Sequence, residues 1–183
     1  DDDPALIAAG VLLNYATDTQ RSALPHIVSL KAEAKDKRVA LDAATLKNLE
    51  IDLNLSGGEE NTLFTSLNKC KTAMGSRMLR RWLKQPLRDI DALNQRQQAI
   101  ANLVETFDFE PIREHLKKIG DLERILARVA LRSARPRDLS RLGASLGELP
   151  ALQSQAKSLT AQRLKILHID ISEFPEIYAL LTS

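Results

Sequence analysis

The sequence predicts a mainly α-helical protein, a multi-helix core bundle with a small β-ribbon in its N-terminal third. Of the 183 residues, 44% are hydrophobic but only 4% are aromatic. The core must therefore be built from Leu, Ile, Val and Ala, a composition that favours helices packed on helices. From Thr62 onwards, apolar residues recur at the three- and four-residue spacing of amphipathic helices. A chain of this length can bury one sizeable core.

The first third of the chain is predicted to hold one helix and the β-ribbon. The helix is expected over residues 4–17. The ribbon, at about 27–56, would be built from three extended segments, 27–30, 39–42 and 49–55. In the last of these, four apolar residues alternate with polar ones, and Gly57-Gly58 ends the alternation.

The rest of the chain is predicted to be helical. Helices are expected at 62–69, 74–84, 90–105, 109–118 and 121–133. Pro136 begins a further helix, in which Gly143 and Gly147 would allow a second helix to approach closely. Residues 164–171 are ambiguous between strand and helix, and a last short helix is expected from Ser172.

An arginine-rich segment, MGSRMLRRWLKQPLRD at 74–89, projects as an amphipathic helix. Its apolar arc includes Trp82, the only tryptophan, which is expected to be buried. The opposite arc carries four cations: Arg77, Arg80, Arg81 and Lys84. These cations either contact phosphates or an acidic face of a neighbouring domain, or form a solvated face whose stems cover apolar surface.

A second arginine-rich segment, GDLERILARVALRSARPRDL at 120–139, carries a stripe made of arginine only. The stripe, continued just past the segment, contains Arg124, Arg128, Arg132, Arg135, Arg137 and Arg141. Arginine forms planar bidentate pairs with carboxylates and phosphates. Three readings stay open: internal ion pairs with Asp121, Glu123 or Asp138, contacts with other domains, and contacts with DNA.

No catalytic, metal or cofactor-binding residue is predicted. The single cysteine, Cys70, excludes an internal disulfide framework and a cysteine-based zinc cluster. His26, His115 and His168 lack the spacing of metal ligands. The sequence also lacks the G-x-x-x-x-G-K-[ST] pattern of a phosphate-binding loop.

Five segments, in their order along the chain, resemble the core domain (domain III) of MutS, the DNA mismatch-recognition ATPase. They are AAGVLLNYATDTQ (8–20), LDAATLKNLEI (41–51), NQRQQAIANLV (94–104) and the two arginine-rich segments. The resemblance is close from about residue 8 to 150 and thinner from 151 to 183. It implies a core-like helical domain at 1–150 and, at 151–183, helices leading toward the lever and clamp.

The resemblance also implies a function. A MutS-like protein is a dimer that binds mismatched DNA, exchanges nucleotide and recruits MutL in DNA mismatch repair and the DNA damage response. Its core domain is not catalytic and couples nucleotide state to DNA grip. The expected partners are therefore the other domains of the same chain, a second MutS subunit, DNA and MutL, and ATP and Mg²⁺ would bind elsewhere in the parent protein. In this setting, contact between domains is a better use of the basic arc at 74–89 than direct contact with DNA.

Three further expectations concern context. Both ends of the sequence look cut, so a piece of a longer chain is expected. The sequence has no apolar run long enough to cross a bilayer, and a cytoplasmic protein without a membrane partner is expected. The alternatives are a free-standing helical protein-interaction adaptor and an autonomous DNA-binding module, although the net charge of +2 weighs against the second.

Overall fold

The computed structural model of the protein describes residues 3–20, 24, 27–30 and 37–183. The chain divides into two compact units, residues 1–33 and 34–183. The described helices are α1 (Asp3–Gln20), α2 (Ala43–Asn48), α3 (Leu63–Leu67), α4 (Ala73–Lys84), α5 (Ile90–Thr106), α6 (Phe109–Lys118), α7 (Leu122–Ala130), α8 (Pro136–Gly147), α9 (Leu149–Ala156), α10 (Gln162–Asp170) and α11 (Pro175–Thr182). The prediction of a mainly helical fold is confirmed.

The first unit contains α1 and residues 27–30, which form neither helix nor strand. The helix is apolar on several sides, and its larger apolar side chains are largely exposed, Val11 and Leu12 among them. Together with residues 27–30 it lines a groove of about 640 Å³. None of the described helices has both the length and the apolar content to cross a membrane.

The second unit is a bundle of short helices. The helix pairs that pack together include α8 with α11, α6 with α9, α5 with α10, and α7 with α8. Its core cluster consists of Ala99 on α5, Ala156 on α9, Leu159 in the following turn and Leu164 on α10. Small and branched aliphatic side chains therefore fill this core, as the low aromatic content predicts.

Side chains at the helix starts explain several of the boundaries. Asp42, Thr72 and Asp89 each accept a hydrogen bond from a backbone N–H in the first turn of the helix that follows. Thr62, which is almost fully buried, caps α3 in a reciprocal pair with Thr65. These caps use short polar side chains placed just before an apolar run, and the observed starts of α3, α4 and α5 lie within a few residues of the predicted ones. The helix α2 was not predicted, because it lies within the segment assigned to the ribbon.

The prediction of a β-ribbon at about 27–56 is wrong for the described residues. Residues 27–30 and 39–42 form no strand, and 49–55 is a series of turns after α2. Glu50 has a positive φ of 45°, and the backbone carbonyls of Glu50 and Ile51 accept hydrogen bonds from Leu63 and Phe64 at the start of α3. The carbonyls that a neighbouring strand would use are therefore bonded to α3.

The alternation that predicted the strand at 49–55 has a different cause. Ile51 is buried, whereas Leu49, Leu53 and Leu55 are exposed, so the segment has one apolar anchor instead of an apolar face. The antiparallel pairing present in the described residues is an isolated bridge between Arg38 and Leu87. The residues that connect the first two predicted segments lie mostly outside the described residues.

The C-terminal residues 164–171, ambiguous in the sequence, belong to α10 and the residue that follows it. Beyond it, α11 packs against the two glycines of α8. A Cβ atom on Gly143 would lie 3.2 Å from the Cβ of Leu181, and one on Gly147 would lie 2.9 Å from the ring of Tyr178. The prediction that these glycines allow a close helix approach is confirmed.

Candidate interdomain and phosphate contacts

The two arginine-rich segments contact each other through Arg77. This side chain leaves α4 and binds Asp121 with two parallel bonds, from Nη1 to Oδ2 at 2.8 Å and from Nη2 to Oδ1 at 2.6 Å. The same guanidinium also donates from Nε and Nη2 to Oε2 of Glu123, at 3.1 and 2.6 Å. One planar fork thus holds two carboxylates at the start of α7, the geometry that lysine cannot supply.

The electrostatics of this contact favour the charged forms of Arg77 and Asp121. Hydrogen bonds to Asp121 and Glu123 raise the pKa of Arg77. The guanidinium of Arg77 is the main cause that lowers the pKa of Asp121, against a smaller opposing effect of desolvation. Asp121 also accepts a bond from the backbone N–H of Arg124, so it caps α7 while it binds α4. We call the contact of Arg77 with Asp121 and Glu123 the α4–α7 bridge.

The other cations of the basic arc on α4 also have neighbours within the bundle. Lys84 binds Asp52 at 3.0 Å and ties the end of α4 to the turns after α2. The guanidinium of Arg80 lies 4.4 Å from the centre of the buried Phe64 ring, with Glu59 3.5 Å away. Arg81 lies on the wall of a cleft beside α4.

The second stripe makes one close internal ion pair. Arg128 on α7 binds Oδ1 of Asp138 on α8 at 2.6 Å, and the backbone N–H of Arg135 donates to Oδ2 at 3.0 Å. The Arg135 N–H is the main cause that lowers the pKa of this buried carboxylate, and the positive charge of Arg128 adds to it. Internal pairing, one of the three readings of the stripe, therefore describes Arg128.

The remaining arginines of the stripe face solvent to a greater extent. Arg124 lies 3.5 Å from Asp121 with its side chain 71% exposed. Arg132, at the turn after α7, adopts a positive φ of 53° and is exposed, as is Arg137 in the first turn of α8. The aliphatic part of Arg141 packs against Gly120, where a Cβ atom would lie 2.8 Å from its Cγ. Contact of these arginines with other domains or with phosphate stays a prediction.

Sequence reasoning missed a third joint between helices. His115 on α6 contacts Glu148 at 2.8 Å, and Lys118 binds the same carboxylate at 3.2 Å. The contact with His115 is the main cause that lowers the pKa of Glu148. Glu148 lies between α8 and α9, so the contact fixes α6 against that junction. The spacing of His115 and Lys118, three apart on one helix face, is the signal that was available.

Trp82 does not have the environment that its sequence position predicts. It is 40% exposed, and its ring carries the guanidinium of Arg96, 3.7 Å from the ring centre. In α4, which the structure describes throughout, no residue is fully buried. The expectation of a buried tryptophan is wrong because Trp82, with Met74 and Met78, lines an open cleft instead of a closed core. Arg77 and Arg81 line the same cleft, so the apolar and basic arcs of α4 meet there.

The other residues weighed in the sequence show no clustering. Cys70 is exposed and has a free thiol. His168 contacts the backbone carbonyl of Gln153 at 3.1 Å, and His26 lies outside the described residues. In the part of the chain that the structure describes, no three potential metal ligands come together.

One comparison with known protein families identifies the chain. Residues 44–182 match the family model of MutS domain III. The matched segment includes both arginine-rich helices, the α4–α7 bridge and the ion pair between Arg128 and Asp138. Since it covers more than half of the 183 residues, the chain belongs to the MutS domain III family.

Proposed function

We propose that the chain is the non-catalytic core domain of a MutS-type mismatch repair protein and acts mechanically in the cytoplasm. It couples the nucleotide state of an ATPase, located elsewhere in the protein, to the grip on mismatched DNA. Its proposed partners are other domains of the same protein, a second MutS subunit, DNA and MutL. ATP and Mg²⁺ are the proposed cofactors of the whole protein, and neither binds to this segment.

The observation that carries the proposal is the α4–α7 bridge. An element that relays a conformational change must move as a unit between two arrangements. This requires contacts between its helices that keep their geometry during the motion. Arg77 supplies such a contact, because one guanidinium is held by four hydrogen bonds to two carboxylates. The pair of Arg128 with Asp138 continues the connection from α7 to α8.

The packing of the bundle supports a mechanical role for these joints. Many large apolar side chains of the described residues are partly exposed, so hydrophobic burial alone fixes the relative positions of the helices weakly. Directional contacts then decide how α4, α7 and α8 are oriented. The contact of His115 with Glu148 adds α6 to the same connected group.

The test uses a MutS-type protein that contains this segment and the variant Arg77→Gln. The measured quantity is the ratio of the Kd for mismatched DNA with an ATP analogue to the Kd with ADP. Allosteric coupling of this kind typically amounts to about 5- to 150-fold. We expect Arg77→Gln to reduce the ratio several-fold, because glutamine cannot hold two carboxylates.

The control is Lys157→Gln, which removes one positive charge from an exposed position at the end of α9. It should leave the ratio unchanged. An unchanged ratio in Arg77→Gln, with nucleotide and DNA still bound, would contradict the coupling role.

A further inference from the structure

We propose that the cleft beside α4 and α5 binds an acidic peptide segment that also carries bulky apolar side chains. The cleft has a volume of about 510 Å³ and is lined by residues of both helices and by Arg38 and Leu87. The proposal does not depend on the coupling role, since a docking site would operate whether or not α4 transmits motion.

The floor of the cleft is apolar and open. Met74, Met78 and Trp82 contribute to it, and the side chains of Met78 and Trp82 are 55% and 40% exposed. Methionine adapts its shape to irregular apolar partners, and tryptophan is enriched where one protein binds another. Apolar side chains of a partner can therefore displace water from this floor.

Arg96 gives the wall of the cleft a positive charge. Arg96 lies over Trp82 and is partly buried, and among the described residues no carboxylate lies within ion-pair distance of it. Burial lowers the pKa of Arg96, and the positive charges of Arg163 and Arg38 lower it further. An anion placed at Arg96 would relieve this repulsion and replace the water that the guanidinium has lost.

Among the described residues, the acidic side chain that lines the cleft does not neutralise the charge of Arg96. It is Glu123, and the α4–α7 bridge already binds it to Arg77. Arg38 and Arg81 also line the cleft. The positive charge of Arg96 therefore favours a partner that brings its own carboxylates.

A peptide fits this site better than a nucleic acid does. The cleft accepts a few side chains, whereas a DNA duplex is too wide to enter a space of about 510 Å³. One face of Trp82 is covered by Arg96 at 3.7 Å, so that face is closed to base stacking. Planar carboxylates match the planar guanidinium, and leucine-sized side chains match the methionine floor.

The experiment uses the 183-residue chain and the intrinsic fluorescence of Trp82, which as the only tryptophan reports on the cleft alone. Three probes are titrated: a ten-residue peptide of alternating Glu and Leu, the same peptide with Gln in place of Glu, and a single-stranded oligothymidylate with the same number of charges. We expect a saturable change in emission with the Glu–Leu peptide at the lowest concentration. The Gln–Leu peptide and the oligonucleotide should each bind at least about ten-fold more weakly, since charge-assisted hydrogen bonds are lost or poorly placed.

Variants assign the binding to the cleft. Arg96→Gln should weaken binding of the Glu–Leu peptide about ten-fold, and Arg96→Lys should restore part of it. Met78→Glu, at a largely exposed position that tolerates the change, should abolish binding by placing a negative charge on the floor. The matched control Lys157→Gln should bind the peptide like the wild-type chain.

Circular dichroism spectra check that each variant is folded. The proposal is overturned if folded Arg96→Gln and Met78→Glu both bind the peptide like the wild-type chain. It is also overturned if the oligonucleotide binds as tightly as the Glu–Leu peptide, because that result would assign the cleft to nucleic acid. Equally tight binding of the Gln–Leu peptide would overturn it as well.

Discussion

Asn102 on α5 connects two parts of the bundle that are far apart in the sequence. Its Oδ1 accepts hydrogen bonds from the backbone N–H groups of Thr160 at 2.9 Å and Ala161 at 3.1 Å. These residues link α9 to α10, next to the core cluster that contains Ala99 and Leu164. The variant Asn102→Ala removes both bonds and leaves the helix backbone intact.

The size of the effect follows from the two lost bonds and the change of residue. Each bond contributes about 1 kcal/mol net, which gives a loss of roughly 2 kcal/mol. Alanine stabilises a helix by about 0.6 kcal/mol more than asparagine does, so the net destabilisation is roughly 1.4 kcal/mol. For a chain of this size about 1 kcal/mol shifts Tm by 2–4 °C, and the expected decrease is about 3–6 °C.

The assay is thermal unfolding of the 183-residue chain followed by circular dichroism, with urea unfolding as a second measurement. Asn94→Ala is the control, because Asn94 is an exposed residue of the same helix and has no side-chain hydrogen bond among the described residues. It should raise Tm by about 1–2 °C through helix propensity alone. Equal Tm values for Asn102→Ala and Asn94→Ala would refute the reasoning.

Three further predictions concern pH, packing and DNA. The pKa values of Asp121 and Glu148 are lowered in the folded chain. The two ionised carboxylates therefore stabilise the folded chain at pH values above the ordinary carboxyl pKa of about 4. This stabilisation is lost as the pH falls through their lower folded-state pKa values. Urea unfolding from about pH 5 to 2 should show a shallower dependence on pH in Asp121→Asn, whereas Glu105→Gln, at an exposed position on α5, keeps the wild-type slope. Gly143→Leu should destabilise the chain by about 1–3 kcal/mol because the new side chain meets α11, whereas Gly10→Leu, with no atom within 4 Å of its Cβ position, should not; equal urea midpoints would contradict this. In fluorescence anisotropy the isolated chain should bind DNA no more tightly than about 10⁻⁴ to 10⁻⁶ M and without preference for a mismatch, and tight mismatch-selective binding would instead support an autonomous DNA-binding module.

The helical part of the fold was predictable because its signals are local. Apolar periodicity and short polar caps placed α4, α5, α6 and α7 within a few residues of their observed bounds. The close approach of another helix to α8 was also predictable from the glycine pair, but the pattern did not identify α11 as that helix. Periodicity of this kind depends only on neighbours in the sequence.

The β-ribbon was not predictable from alternation alone. A strand needs a partner, and whether the backbone of residues 49–55 finds one depends on contacts that the pattern does not contain. In the structure Glu50 and Ile51 offer their carbonyls to the start of α3. The buried position expected for Trp82 failed for a similar reason, because an apolar arc does not indicate whether anything covers it.

The candidate site was predictable in its residue types and not in its pairing. The sequence indicated that Asp121, Glu123 and Asp138 could serve as partners for the arginine stripe on α7 and α8. Asp138 does pair with Arg128 on α7, but the main partner of Asp121 and Glu123 is Arg77, 44 and 46 positions away on α4. Three-dimensional packing decides which of several equivalent guanidinium groups reaches a given carboxylate.

The central claim, that the α4–α7 bridge transmits the nucleotide state to the DNA grip, is tested most directly by a charge-exchange cycle. In a MutS-type protein containing this segment, Arg77→Asp, Asp121→Arg and the double variant are compared by the ratio of mismatch Kd values with an ATP analogue and with ADP. We predict that in each single variant the ratio falls most of the way to one. In the double variant it should return a substantial part of the way to the wild-type value, since the opposite charges meet again. Ratios that are the same in all four proteins would contradict the account.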